Sequence, residues 1–384
     1  MKNGWQLIKL GELCELNYGK ALVAKARNFG NVPVYSSAGV IGVHNVPICE
    51  TEGIIIGRKG SVGTVYYSPV PFFCIDTAFY IKPSEKYDLR FLYYLLTTLN
   101  LNKLNSDSAV PGLNRYNAYS QIFYLPPIFK QKEISIFLSE LDNKIELNEK
   151  INQNLEAQAQ AIFKSWFVDF EPFGGKMPAG WGQGCLSDVL SVIESGSRPK
   201  GGSESSGVPS IGAENIDGIG HYDYSKEKYI NRDFFQNLRH GKVNSGDILL
   251  YKDGAYVGKV SMALNGFPHE ICAVNEHVFI LRTNERLPSQ SYLYLFLAQH
   301  SIRNKIATLG SAKAAQPGVN QSDIKGIALT IPNKRTIQAF ENIASSLFSK
   351  IVQNSIQSRR LSQLRDTLLP KLMSGEIDVS DVAV

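Results

Sequence analysis

Long apolar runs are missing from this sequence. Nowhere do 18 or more apolar residues follow one another, so no segment reads as a membrane-spanning helix. The opening residues, Met1-Lys2-Asn3-Gly4-Trp5, lack the apolar stretch of a secretory leader, and the expected location is the cytoplasm. Cysteine is sparse. Cys14, Cys49, Cys74, Cys185 and Cys272 are odd in number, widely spaced and free of any C-x-x-C pair, which argues against a disulfide framework or a zinc ribbon. Cys272 stands between His269 and His277 and could be drawn as a metal set, but a buried thiol beside strand and loop histidines is the expected arrangement.

A strong net charge is absent too: +5 on 384 residues says little by itself. Its distribution says more. Residues 1–130 carry 13 basic and 8 acidic side chains, residues 131–172 carry 4 and 8, residues 173–335 carry 18 and 14, and residues 336–384 carry 5 and 5. Two basic blocks separated by an acidic segment suit a polyanion touched in two places. With 43% apolar and 20% charged residues the chain can build ordinary cores, and its length calls for more than one domain.

What is present is a repeat. Gly4-Trp5 and Val32-Pro33 return as Gly180-Trp181 and Val208-Pro209, 176 residues later. Gly53-Ile54-Ile55-Ile56 with Lys59-Gly60-x-x-Gly63 resembles Gly246-Asp247-Ile248-Leu249 with Lys252-Asp253-Gly254-x-x-x-Gly258. Ala109-Val110-Pro111-Gly112-Leu113-Asn114 returns as Ala315-Gln316-Pro317-Gly318-Val319-Asn320, now 206 residues later, and this offset holds through Leu155/Leu361. The ordered series means two copies of one design in tandem, with insertions in the second copy mostly between about residues 218 and 290.

Each copy has a globular part and a long helix. The globular part is rich in Gly, Pro, Tyr and β-branched residues, and its short apolar runs read as strands between turns. One clear helix stands out in each, Leu89–Leu99 and Ser289–Leu297. The expected fold class is α+β: domains 1–130 and 173–335 rich in strands, followed by a spacer helix at 131–172 and by a helix and tail at 336–384.

After Pro126-Pro127 the spacing of Leu138, Leu141, Ile145, Asn148, Asn152 and Leu155 follows a heptad seam, matched in the second copy by Leu347, Ile351, Asn354, Ser358 and Leu361. The two helices are expected to pack antiparallel on each other, rather than only on their own domains. Asn148 then falls near Ser358 and Asn152 near Asn354, as a central polar layer that fixes register. Such a seam is roughly 50 Å long at about 1.5 Å per residue.

This plan resembles the specificity subunit of type I restriction–modification enzymes. The residues that carry the resemblance are the Gly-Trp openings, the Leu125-Pro126-Pro127 and Ile331-Pro332 steps, the run Ala161-Ile162-Phe163-Lys164-Ser165-Trp166-Phe167-Val168-Asp169-Phe170, and Leu368-Leu369-Pro370-Lys371-Leu372-Met373-Ser374-Gly375-Glu376-Ile377. The resemblance implies that each globular part is a target recognition domain reading one half of a split, asymmetric site on double-stranded DNA. The helices would be the spacer and the docking surface for two methyltransferase subunits. Those partners would bring S-adenosylmethionine, a separate restriction and translocase subunit would use ATP and Mg, and this chain would bind no cofactor and do no chemistry. One departure is Arg365, a charged residue at a seam position where the first copy has apolar neighbours around Ile162.

Catalytic signals are weak. Leu125-Pro126-Pro127-Ile128 lacks the Asn or Asp and the aromatic of an adenine methyltransferase run. Gly254-Ala255-Tyr256-Val257-Gly258-Lys259 is one residue short of a phosphate loop and lacks its Ser or Thr. His240 beside Gly241 and Asp247, and His44 beside Glu50, are expected to be surface or hydrogen-bonded histidines.

Binding signals are better. Glycine beside basic or amide residues lets a loop approach a duplex closely. The candidates are Lys20, Arg58, Lys59, Asn114, Arg115 and Tyr116 in the first copy, and Arg198, Lys200, Lys252, Lys313, Asn320 and Gln321 in the second. The competing class is a duplicated protein-interaction scaffold without DNA specificity; a stand-alone nuclease is disfavoured by the missing motifs.

Overall fold

The computed structural model describes residues 4–104, 112–312 and 318–382. In chain order the first repeat begins with β1 (Gln6–Lys9), α1 (Leu10–Leu13), β2 (Asn17–Tyr18), β3 (Val32–Ser36), β4 (Gly39–His44) and β5 (Gly53–Gly57). It continues with β6 (Val65–Ser68), β7 (Phe73–Cys74), β8 (Ala78–Ile81), α2 (Leu89–Thr98), α3 (Arg115–Tyr119), β9 (Ile122–Leu125) and the long α4 (Ile128–Phe167).

The second repeat begins with β10 (Gly182–Cys185), α5 (Leu186–Val189), β11 (Leu190–Ser195), β12 (Val208–Ile211), β13 (Lys228–Ile230), α6 (Arg232–Asn237) and β14 (Ile248–Tyr251). It continues with β15 (Val260–Met262), β16 (Ala273–Val274), β17 (Val278–Thr283), α7 (Gln290–Ala298), α8 (His300–Ser311), α9 (Gln321–Lys325), β18 (Ala328–Ile331) and α10 (Lys334–Met373).

Both repeats build the same three sheets. The pair β1-β9 matches β10-β18, the sheet β2-β8-β5-β6 matches β11-β17-β14-β15, and β4-β3-β7 matches β13-β12-β16. The central strands explain themselves. Ile54, Ile55 and Ile56 of β5, and Ile248, Leu249 and Leu250 of β14, are buried on both faces, the setting in which continuous branched or apolar runs are stable. The helix that covers each large sheet starts at a side-chain cap. Asp88 accepts the amide of Phe91 at 2.8 Å, and Ser289 accepts that of Tyr292 at 2.9 Å.

Register refines the match between repeats. Ile54 lies opposite Ile81, and Ile248 opposite Leu281. Lys59 bridges Gly112 as Asp253 bridges Gly318. The counterpart of Lys59 is therefore Asp253, and Lys252 corresponds to Arg58, one residue away from the pairing that the lysines alone suggest. Much of the inserted length falls between β12 and β14, where α6 has no helical counterpart. A second difference is α8, which gives the second repeat one more clear helix than its sequence pattern predicts.

The chain divides into two compact units, Met1–Lys144 with Arg360–Val384, and Ile145–Arg359. In the first, Ile134, Phe137, Leu138 and Leu141 of α4 and Leu372 and Met373 of α10 are buried in one core with Leu10, Ile54, Phe91 and Leu92. The seam residue Leu361 and its neighbour Leu368 pack against that core, as do Ile377, Val379 and Val382 of the C-terminal segment. Asp378 pairs with Lys130 at 3.0 Å. The backbone N–H of Ser380 and the Lys130 ammonium hold its carboxyl down at about 2.

Arg365 turns out to be matched. Its Nη1 donates to Asp142 Oδ1 at 2.6 Å, while Tyr94 Oη donates to Asp142 Oδ2 at 2.5 Å. Burial works against the guanidinium charge, but Asp142 and Asp366 hold its pKa above the ordinary value. The helices run antiparallel here, since Lys130 lies by Asp378 and Asp142 by Arg365.

In the second unit the helices also run antiparallel and meet through an amide layer. Asn148 Nδ2 donates to Ser358 Oγ at 3.1 Å and to Gln357 Oε1 at 2.9 Å. Asn354 Nδ2 donates to Asn152 Oδ1 at 2.9 Å, and Asn152 Nδ2 donates to Ser355 Oγ at 3.1 Å and to the Ile351 carbonyl at 3.2 Å. Both contacts expected from the antiparallel argument are present. Ile145, Leu155 and Leu347 are half-buried beside this layer and Ile351 is buried.

The seam is not the whole story. Ala159, Phe163, Phe167, Phe340, Ala344 and Phe348 are buried in the same core as Trp181, Tyr292 and Leu293 of the globular part. These turns of the helices are a wall of the domain as much as partners of each other.

Candidate nucleic-acid interface

Four backbone segments converge at one end of the large sheet in each repeat, and glycine is what lets them. A Cβ on Gly19, just after β2, would stand 2.1 Å from the Ile75 carbonyl oxygen; on Gly196, just after β11, it would stand 1.6 Å from that of Val274. Only a residue without a side chain fits beneath the turn between β7 and β8, or between β16 and β17. The turn after β5 is tied to the same place. Arg58 and Lys59 donate their amides to the Thr77 carbonyl at 2.9 and 3.0 Å, and Lys252 donates to His277 at 3.0 Å. The fourth segment is the approach to α3 or α9, where Leu113 N donates to the Arg58 carbonyl and Val319 N to that of Lys252, both at 2.8 Å.

In the first repeat this convergence makes a cationic cluster. The guanidinium carbons of Arg58 and Arg115 lie 5.4 and 5.1 Å from the centre of the Tyr18 ring, and Arg58 also lies 5.9 Å from that of Phe79. Tyr18 is itself held edge-on by Phe79. Arg58 anchors its fork on the Asp76 carbonyl, donating from Nε and Nη2 at 3.1 and 2.5 Å. Neither arginine is paired with a carboxylate among the described residues. Lys20 and Lys59 are exposed, and Tyr116 is 75% exposed. Two guanidinium groups beside one ring repel each other, and that repulsion is relieved by a polyanion.

The second repeat keeps the backbone and changes the charge. Lys252 pairs with Asp253 at 3.1 Å, His277 with Asp253 at 3.0 Å, and Arg198 with Glu276 at 3.8 Å. Lys200 and Gln321 are exposed. Lys313 lies outside the described residues, as do the Ala109-Val110-Pro111 and Ala315-Gln316-Pro317 segments of the repeated loop.

The two asparagines among the candidates have a structural task. Asn114 caps α3 by accepting the amide of Tyr116 at 2.8 Å, and Asn320 caps α9 by accepting that of Asp323 at 3.0 Å. Their side-chain oxygens serve the backbone instead of facing outward. Sequence reasoning missed Tyr18, an isolated aromatic whose importance comes from the two arginines that the fold brings to it.

Residues that could be drawn as catalytic or metal-binding are placed otherwise. His44 accepts the Asn28 amide at 3.0 Å, and His240 pairs with Glu194 at 3.0 Å, while Asp247 is taken by Arg282 at 2.6 Å. Cys272 Sγ points to the His269 carbonyl at 3.7 Å, His269 bonds Glu227, and His277 turns to Asp253. No group of three or more His, Cys, Asp or Glu residues among those described is arranged to hold a metal ion. The stretch Gly254–Tyr256 is a short turn of 3₁₀ helix between β14 and β15.

Burial pushes the thiols of Cys14, Cys74 and Cys272 from 9.0 up to about 12, and only a thiolate attacks disulfide reagents. Cys185 alone among the five is not buried. A native titration with an aromatic disulfide at pH 8 is expected to score one fast thiol, and a denatured one five. Two or more fast native thiols would contradict this packing. The raised values also set a sign: stability from these neutral buried thiols is fully present below about pH 9 and is lost as pH climbs toward 12.

Among the described residues no helix is long and apolar enough to cross a membrane. The family described as type I restriction modification DNA specificity domain matches residues 2–157 and again 178–365. The MjaIX specificity subunit of Methanocaldococcus jannaschii is 24% identical over 416 residues, covering 98% of this chain and 94% of its own length. The HindI specificity subunit of Haemophilus influenzae is 27% identical over 334 residues, covering 66% and 68%. The crystal structure of a type I restriction–modification S subunit from M. genitalium shares the fold with a TM-score of 0.67 at 17% identity, over 97% of each chain. With matches that take in both repeats and most of the sequence, the chain belongs to the family of type I restriction–modification specificity subunits.

Proposed function

We propose that this chain is the DNA-recognition subunit of a type I restriction–modification complex, and that each globular domain reads one half of a bipartite, asymmetric site. The observation that carries this reading is the cluster of Arg58, Arg115 and Tyr18, cationic and without carboxylate partners among the described residues, on a scaffold repeated in the second domain. A duplicated scaffold with different side chains is what two unlike half-sites require. Phosphate contacts by Lys20, Lys59, Lys200 and Lys252 would fix orientation, and base contacts would specify sequence. The antiparallel helices would set the spacing and carry two methyltransferase subunits; S-adenosylmethionine, ATP and Mg would belong to those partners and to a restriction and translocase subunit, with no chemistry on this chain.

Selection from a randomised duplex library, with the chain co-purified with its methyltransferase partner, tests this. A bipartite motif with a fixed gap is expected. A library returned without enrichment would support the duplicated-scaffold alternative instead.

A further inference from the structure

Residues 115 and 321 occupy the same place in the two repeats. Each follows the capping asparagine of a short helix, and each cap is reached through the same bond from the turn after the central strand. Only the side chains and their surroundings differ. Arg58 is anchored through Nε and Nη2 on the Asp76 carbonyl, which leaves it a single outward edge. The Arg115 side chain makes no hydrogen bond to a described residue, and its Nε is buried without a partner. Leaving a buried N–H unpaired is costly. Here it is the cost of laying the guanidinium against Tyr18 and Tyr119, at 5.1 and 5.8 Å, so that its two terminal nitrogens remain as a fork.

In the second repeat the last strand residue before the glycine is Ser195 in place of Tyr18, so no ring lies there. Gln321 lines an open groove of about 580 Å³ along β11, together with Glu194, Ser195, His240 and Lys325. Its amide has no partner among the described residues and offers one donor and one acceptor side by side.

These two chemistries match different bases. Guanine presents two acceptors, O6 and N7, in the major groove and suits the fork of an arginine; adenine presents an acceptor and a donor, N7 and N6, and suits an amide. We propose that residues 115 and 321 are equivalent specificity-determining positions, Arg115 reading a guanine in the first domain's half-site and Gln321 an adenine in the second's, with Tyr18 as the positioning residue that holds Arg115. This rests on the DNA-recognition reading above.

The experiment is library selection with the full chain in its complex, comparing wild type with Arg115→Gln, Gln321→Arg, Tyr18→Ser and Tyr18→Phe. Arg115→Gln should abolish preference for guanine at one position of one half-site, a loss of roughly 5- to 150-fold in discrimination, and leave the other half-site intact. Gln321→Arg should move one position of the other half-site from adenine toward guanine. Tyr18→Ser should flatten the same position as Arg115→Gln with the salt dependence of binding unchanged, and Tyr18→Phe should retain the wild-type preference.

If Arg115→Gln weakens binding to every sequence alike and lowers the salt slope, Arg115 is a phosphate contact and the proposal fails. Changes spread over both half-sites would also overturn it. A wild-type chain that selects no motif at all would instead sink the recognition reading itself, so the two failures are distinct.

Discussion

Phe340→Ala is expected to destabilise the second unit by about 3–5 kcal/mol, the usual range for removing a fully buried phenylalanine. Phe340 is 0% exposed and stands among aromatic rings, with centroids 4.9 Å from Phe167, 6.0 Å from Phe163, 6.0 Å from Trp166 and 6.4 Å from Tyr292. It lies on α10, yet its partners come from α4 and from α7. The cavity left behind would therefore separate helix from helix and helix from domain together. Denaturant unfolding should show an early transition for Ile145–Arg359 while the first unit keeps its midpoint. A loss under about 1 kcal/mol would mean that the long helices are an attachment to the domain and no part of its core.

The second large effect concerns the amide layer. Asn354→Ala is expected to cost about 1–3 kcal/mol, because it leaves the buried carbonyl of Asn152 without a donor. Asn354 and Asn152 are 3% and 4% exposed, so water cannot take over that bond. Replacing both asparagines by leucine should recover much of the loss, because neither of the two side chains then carries a polar group that needs the other. Register would be less firmly set in exchange, since the bonds of Asn148 to Gln357 and Ser358 would be left as the polar contacts of this layer that distinguish one alignment from a slipped one. A double-mutant cycle on unfolding free energies reads the coupling directly. Additivity within about 0.5 kcal/mol would show that the two amides do not act as a pair.

Much of this architecture was legible because it is written twice. The Gly-Trp openings, the Pro steps and the returning Pro-Gly-(Leu/Val)-Asn loop located both repeats, and the heptad spacing of Asn148, Asn152, Asn354 and Ser358 located the amide layer. Side-chain volume next to the seam was harder to read. Phe163, Phe167 and Phe348 lie one position off the heptad, and their burial depends on the sheet-covering helix that happens to face them.

Arg365 looked like a flaw in the seam because its partner, Asp142, stands far away in sequence. The candidate interface was legible only in part. Arg58 and Arg115 were recognisable as basic residues beside turns, but nothing local ties either of them to Tyr18. Asn114 and Asn320 carried the opposite signal: an asparagine with an acid three residues on, as in Asn320 and Asp323, is a capping pattern, and the structure uses it so.

The charge contrast between repeats follows from register. Once Lys59 is matched to Asp253, the second turn is seen to replace a cation by a carboxylate that neutralises Lys252 and holds His277. These half-buried pairs do more than stabilise the turn. They lower the positive charge of this turn, Lys252-Asp253, relative to Arg58-Lys59 at the equivalent turn of the first repeat.

The central claim is that each domain reads its own half-site independently. The most direct measurement exchanges residues 1–130 for the corresponding region of another specificity subunit and repeats the library selection with the hybrid in its complex. One half-site should change, while the other half-site and the gap stay as in the wild type. A hybrid that alters both half-sites, or the gap as well, would contradict the account.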